Sequence, residues 1–349
     1  MSQTELTESV PALDQMGRPQ NFGWSRSPVL VYDTGLLNAP GRKRRETDRY
    51  ILLSPTHTVL FEIIDDGYLG YLFVTVASQK DKKCSTITLV TPFSLGGFEL
   101  PADSDSVSVK FKQKKAFVNF VCMDVGVKLI KIDIPNFGPY RQNLMGQIVL
   151  TPPEGAESLI THMPWRENTK AFSCSKRSPW YLAEGVIQCG TSELVFTRGH
   201  GWGIFDWNRG VRPRSDIHFW ASACGQVNDR QSGFCVGYNS ADSSFGTENA
   251  FFLDGKLHKL DKVSFHIPAD RLEPWRFSSN NHRLEMIFLP QQERDDNHQM
   301  FFYSLKRRQL FGSFSGRALL DDGSEFIFSD LSGTAERWKS RFYNNFFTG

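Results

Sequence analysis

Residues 201–225, GWGIFDWNRGVRPRSDIHFWASACG, gather the side chains best suited to chemistry. Asp206 and Arg209 stand three positions apart, with Trp207, His218 and Trp220 close by. A carboxylate, a guanidinium and an imidazole can move protons or fix a polar ligand, while indole rings supply flat apolar walls. Paired across a turn, Arg209 would hold Asp206 ionised and suit it to act as a base. The same pair would equally brace a loop at a barrel rim, with Arg198 or Arg212 joining it. Downstream, Glu248 and Asn249 in TENAFF either pin a hairpin or orient a ligand's polar end, since Asn249 both donates and accepts. Glu336, followed by Arg337 and Trp338, permits the same choice, orienting a ligand or forming an ion pair on a helix surface. His218 alternates with Phe219 on a strand, so only one of the two faces the interior. The expected site thus has Asp206 and Arg209 as catalytic candidates. Trp207, His218, Trp220, Glu248 and Asn249 are its ligand-binding candidates, with the loop 206–216 at a barrel mouth.

No familiar catalytic motif accompanies these residues. FGSFSG, at 311–316, has Phe314 where a nucleophile elbow needs serine, so its glycines are read as allowing close strand packing. GHGWG, at 199–203, lacks the strand and helix that a dinucleotide loop requires. Six scattered cysteines form no C-x-x-C pair and read as reduced, mostly buried thiols. No Cys or His pair has ligand spacing, so neither metal nor cofactor is expected. Forty basic residues against 38 acidic ones leave no overall field to recruit nucleic acid. The basic run GRKRRETDR at 41–49 reads as a solvated loop balanced by Glu46 and Asp48.

The elements that must position these groups read as strands. Residues 50–64 and 68–77 are rich in β-branched and aromatic types and meet at Asp66-Gly67. Val107, Val109 and Phe111 alternate with polar neighbours, the period of a strand with one wet face. Over 127–134 the apolar phase slips between Leu129 and Ile130, which predicts a β-bulge. Asp254-Gly255 and Asp322-Gly323 mark further hairpins. Residues 332–347 are expected to form a short C-terminal helix carrying Trp338 and Phe342. The expectation is an all-β fold of two lipocalin-like antiparallel β-barrel halves packed together. An irregular segment, 1–49, precedes a first domain, 50–165, and a second, 166–349, that carries the aromatic stretch. No basic start followed by an apolar run and no run of about 18 apolar residues occurs, so neither a signal peptide nor a membrane span is expected, and a cytoplasmic location is.

The phrases DWNRGVRPRSDIHFWASACG, GTENAFFLDGKLHKLDKVSF, FGSFSGRALLDDG and SGTAERWKSR, with NFGWSRSP, resemble the bacterial family called domain of unknown function 2804. The W-x-A-S-x-x-G segment is also similar in style to the lipocalin-like group of carotenoid hydratases and tocopherol cyclase. That second resemblance implies paired barrels and apolar substrates, and fold analogy carries no chemistry with it. Two function classes follow. One is an enzyme performing hydration, isomerisation or cyclisation by acid–base transfer on a mainly apolar small molecule in a β-barrel cavity. The other is a non-catalytic carrier of a lipid-like ligand, or a structural protein.

Overall fold

The computed structural model describes residues 3–105, 108–300 and 303–343. Three short strands come first: β1 (Val10–Pro11), β2 (Gly23–Ser25) and β3 (Leu30–Val31). Then follow β4 (Arg44–Leu53), β5 (His57–Asp65), β6 (Leu69–Ser78), β7 (Lys83–Pro92), β8 (Val109–Gln113) and β9 (Ala116–Cys122). Next are β10 (Lys128–Phe137), β11 (Gln142–Thr151), β12 (Leu159–Trp165), β13 (Asn168–Cys189), β14 (Ser192–Phe196) and β15 (Trp202–Val211). The rest are β16 (Ser215–Val227), β17 (Arg230–Tyr238), β18 (Ala250–Leu253), β19 (Lys256–Lys259) and β20 (Val263–His266), then β21 (Trp275–Ser279), β22 (Leu284–Met300), β23 (Tyr303–Leu319) and β24 (Glu325–Phe342). The fold is all-β; among the described residues the helical pieces are three-residue 3-10 turns.

Ten strands form a near-closed barrel in the order β7-β6-β5-β4-β15-β13-β11-β10-β9-β8. Across the gap between its edges, Gln113 Nε2 donates to Val90 O at 3.1 Å. The last nine form a half-barrel in the order β19-β18-β17-β16-β24-β23-β22-β21-β20. The chain passes from one sheet to the other at residues 212–214. Strands β13 and β15, placed by sequence beyond a division near Trp165, continue the first sheet, and residues 159–165 are strand β12.

Strand alternation sorts the side chains into three layers. On β4 and β15, Tyr50, Leu52, Phe205 and Trp207 point into the barrel core. Ile51, Leu53, Trp202 and Ile204 point outward and pack with Trp220 and Cys224 of β16 in the seam between the sheets. The opposite face of β16, Ala221 and Ala223, joins Phe234, Phe288 and Phe314 in the half-barrel core. Strands in this seam are buried on both faces because each sheet has a core of its own on the side away from the seam.

Several expectations need correction. Residues 325–342 are a strand, not the start of a C-terminal helix; β24 lies between β16 and β23 and hydrogen-bonds to both. Residues 344–347 lie outside the described residues, as does Val107. The run 41–49 is not a solvated loop, for Arg44 opens β4 and Glu46 and Asp48 are buried. The β10 register is unbroken from Lys128 to Ile134 and shifts only between Ile134 and Phe137. The inward row is Lys128, Ile130, Ile132 and Ile134, so a buried lysine gave the false impression of a slip. Asp254-Gly255 does form the expected tight turn, with φ of 48° and 77°, the left-handed values that suit Gly.

Candidate functional site

In the seam, outward-facing side chains of the barrel meet those of the half-barrel in a chain of buried ion pairs. Arg177 of β13 donates from Nη1 to Asp206 Oδ1 at 2.5 Å and from Nη2 to Glu248 Oε1 at 2.8 Å. His218 Nε2 lies 3.1 Å from Glu248 Oε2, and Asn239 Nδ2 donates to the same oxygen at 3.3 Å. Arg49 of β4 reaches Asp206 at 3.7 Å, Glu336 at 2.8 Å and Glu62 at 2.7 Å. Arg307 closes the chain, donating to Glu336 at 2.7 Å and to Glu62. Three guanidinium groups thus face four carboxylates, with His218 at one end.

Aromatic faces complete the cluster. The Arg49 guanidinium lies 5.0 Å and that of Arg177 6.0 Å from the Trp220 ring centre. Arg45 stacks at 3.5 Å on Trp338, whose ring is 5.8 Å from His218. Cations over indole faces gain most where water is excluded. A cleft of about 60 Å³ opens here, lined by Arg45, Arg177, Asp206, His218, Asn239 and Glu248 among others. Beside it lies a pocket of about 470 Å³ lined by Met163, Tyr238, Ala241, Val263 and Phe265, and again by Asn239 and Glu248.

Burial and charge act differently on each carboxylate. Burial pushes Glu248 up, but Arg177 and the bond from His218 outweigh it and hold the carboxyl at about 2. Glu336 behaves alike: burial opposes ionisation, Arg307 and Arg49 prevail, and the carboxyl sits at about 2. For Asp206 burial prevails over Arg177 and Arg49, so its carboxyl is raised above the ordinary value.

The structure brings Asp206, His218, Trp220 and Glu248 together and sets Asn249 in the wall of the larger pocket, but leaves Trp207 and Arg209 on the other face of β15. Arg209 does not pair with Asp206. It points into the barrel, fully buried, where its Nη1 lies 2.8 Å from Asp48 Oδ1 and donates to Thr47 O at 3.0 Å. Residues 206 and 209 stand on one continuous strand rather than across a turn, and a spacing of three puts them on opposite faces. Trp207 shares the Arg209 face and donates from Nε1 to Pro101 O at 3.3 Å. Asn249 spends its amide on backbone, accepting from Gly237 N at 2.6 Å and donating to Asp261 O at 2.7 Å, so it pins the hairpin. Glu336 lies in the buried cluster, not on a helix surface. Sequence reasoning missed Arg49, Glu62, Arg177 and Arg307, which carry no local signal beyond being charges inside apolar strands.

A family model described as domain of unknown function (DUF2804) matches residues 3–342. The chain belongs to the DUF2804 family. No curated protein matches it. Two solved structures are similar to this DUF2804 chain. An AttH-like protein from Nitrosomonas europaea is 13% identical over 84% of this chain and 91% of its own, with a TM-score of 0.48. Kievitone hydratase from Nectria haematococca is 8% identical over 85% and 88%, with a TM-score of 0.43. Among the described residues, no group of three or more His, Cys, Asp or Glu side chains is placed to hold a metal ion. No helix of the described residues is long and apolar enough to cross a membrane.

Proposed function

We propose that this protein binds a small molecule with a mainly apolar body and a polar end, held between its sheets with the polar end at His218 and Glu248. The observation that carries the reading is that Asn239 and Glu248 line both the 60 Å³ cleft and the 470 Å³ pocket. The larger pocket is of ordinary ligand size, with Met163, Tyr238, Ala241, Val263 and Phe265 as an apolar side and Arg166, Thr247 and Lys262 among its polar lining. The cleft has room for little more than a polar group or a water or two. Glu248, held ionised, fixes the ring of His218 through Nε2.

A second reading, acid–base catalysis, is favoured by that same His–Glu contact. Imidazole is the side chain that most readily takes and returns a proton near neutrality. Burial also raises the Asp206 carboxyl toward the range of a useful acid.

Native mass spectrometry and solvent extraction of the purified protein test the binding. A retained molecule with an apolar body is the expected result, lost in Ser243→Trp, which fills the pocket rim, with the dichroism spectrum unchanged. Retention at equal stoichiometry in that variant would remove the pocket from consideration. His218→Gln, whose amide still offers a hydrogen bond to the ligand's polar end, separates the readings, since a carrier converts nothing in either protein and an enzyme loses turnover of its ligand by about a hundredfold or more.

A further inference from the structure

Four polar donors inside the barrel take no part in the cleft. Lys128 Nζ, on a side chain only 1% exposed, donates to Ser104 O at 2.6 Å and lies 3.5 Å from Asp105 Oδ1. Lys176 Nζ donates to Ser104 Oγ at 3.3 Å and to Asp105 Oδ2. Trp207 Nε1 and Arg209 Nε both donate to Pro101 O, at 3.3 and 3.0 Å. These groups stand on the inward faces of β10, β13 and β15, and all four converge on residues 100–105. That segment belongs to the connection between β7 and β8, the two edges of the barrel.

A buried ammonium group is costly to desolvate, and an aliphatic side chain at 128 would continue the row of Ile130, Ile132 and Ile134. Closing a barrel end therefore does not by itself call for two lysines. The segment they hold has the form of an amphipathic acid. Leu100 is buried in the barrel core with Ala102 packed against it, and the Asp105 carboxylate follows at the rim, its side chain 36% exposed. Phe205 lies 4.5 Å beneath the Lys128 ammonium, with Tyr50 and Phe120 next to it.

We propose that Lys128 and Lys176 form a binding site for the carboxylate of an amphipathic acid, and that Asp105 is an internal carboxylate occupying it here. The site is separate from the cleft, since neither lysine lines it. Burial opposes ionisation of Asp105, but Lys176 and then Lys128 prevail and hold its carboxyl below the ordinary value, as they would a ligand's.

Dodecanoate, with dodecanol as its uncharged match, is the probe, read by titration calorimetry. Asp105→Ala vacates the site and is expected to bind dodecanoate about tenfold more tightly than the native protein does, with no such gain for dodecanol. Adding Lys128→Met removes the gain. If Asp105→Ala loses its dichroism spectrum, Asp105→Asn, which keeps the size and removes the charge, takes its place. Equal dodecanoate affinity in native and variant protein overturns the proposal, as does an equal gain for acid and alcohol. Ser243→Trp added to Asp105→Ala must leave the gain intact. A gain abolished by it places the acid in the seam pocket and overturns the lysine site while sparing the first reading.

Discussion

Glu248 joins a guanidinium, an imidazole and an amide, so its charge is the most heavily used in the cleft. Glu248→Gln leaves the buried Arg177 with one carboxylate instead of two. Breaking a buried pair from one side costs about 3–5 kcal/mol, and a urea melt of this variant is expected to show that loss. A loss below about 1 kcal/mol would mean that water reaches the cluster. His162 gives a second prediction. It packs between the rings of Phe22 and Phe172, at 5.0 and 5.3 Å, and burial pushes it down to about 4 from an ordinary 6.5. The unfolded chain therefore binds this proton more readily than the folded one. The stability tied to neutral His162 is complete above pH 6.5, falls as pH drops, and is lost by about pH 4, on the order of 3 kcal/mol in all. His162→Phe should flatten urea midpoints across that window, and an unchanged slope would sink the assignment. Asp206, His218, Trp220 and Glu248 could be singled out from sequence because polar groups stood among apolar strand residues. Their partners could not, because Arg49 and Arg307 are 258 positions apart and only the meeting of two sheets joins them.

At the scale of elements, β15 and β24 explain where sequence reading failed. A strand with one wet face announces itself by alternation, but both faces of β15 are buried, and its seam face carries Asp206 and Asn208 beside Trp202 and Ile204. Without a wet side, the period of two vanishes from the hydrophobicity pattern and the segment reads as a loop. On β24 the buried Thr334 and Glu336 had the same effect and suggested a helix. Hairpins with Asp-Gly turns, by contrast, carry a local signal and were legible. The glycines of β23 make a third prediction. A Cβ at Gly312 would lie 2.1 Å from Leu289 O, a backbone atom of the neighbouring strand. Gly312→Ala should lower stability by about 1–3 kcal/mol in a thermal or urea melt. A neutral result would show that β22 can move away from β23 there.

For the whole molecule, the two sheets are expected to unfold together. Cys235, Ala250, Phe252 and Leu257 of the half-barrel belong to the same core cluster as the barrel strands, and Gln3 ties the N-terminal segment to Thr247 and Asp261. Tryptophan fluorescence and far-ultraviolet dichroism should therefore give coincident urea transitions. Two separated transitions would instead make barrel and half-barrel independent units. The all-β character was plain in the sequence. The change of sheet at 212–214 was not, because β15 runs almost directly into β16 with only three residues between them.

The place of β24 has a consequence for biosynthesis. Every strand of the barrel has been made once residue 211 leaves the ribosome, so the barrel can begin to close during translation. Strand β16, the next to appear, must wait for β24, the last strand of its sheet, about a hundred residues later. Until then the seam face of the young barrel, with Arg49, Glu62, Arg177 and Asp206, stays open to water, where these charges cost nothing to expose. The apolar part of that face, Ile51, Leu53, Trp202 and Ile204, is exposed over the same interval, so the nascent barrel is prone to stick there until its cover arrives, and the charges beside it temper that tendency.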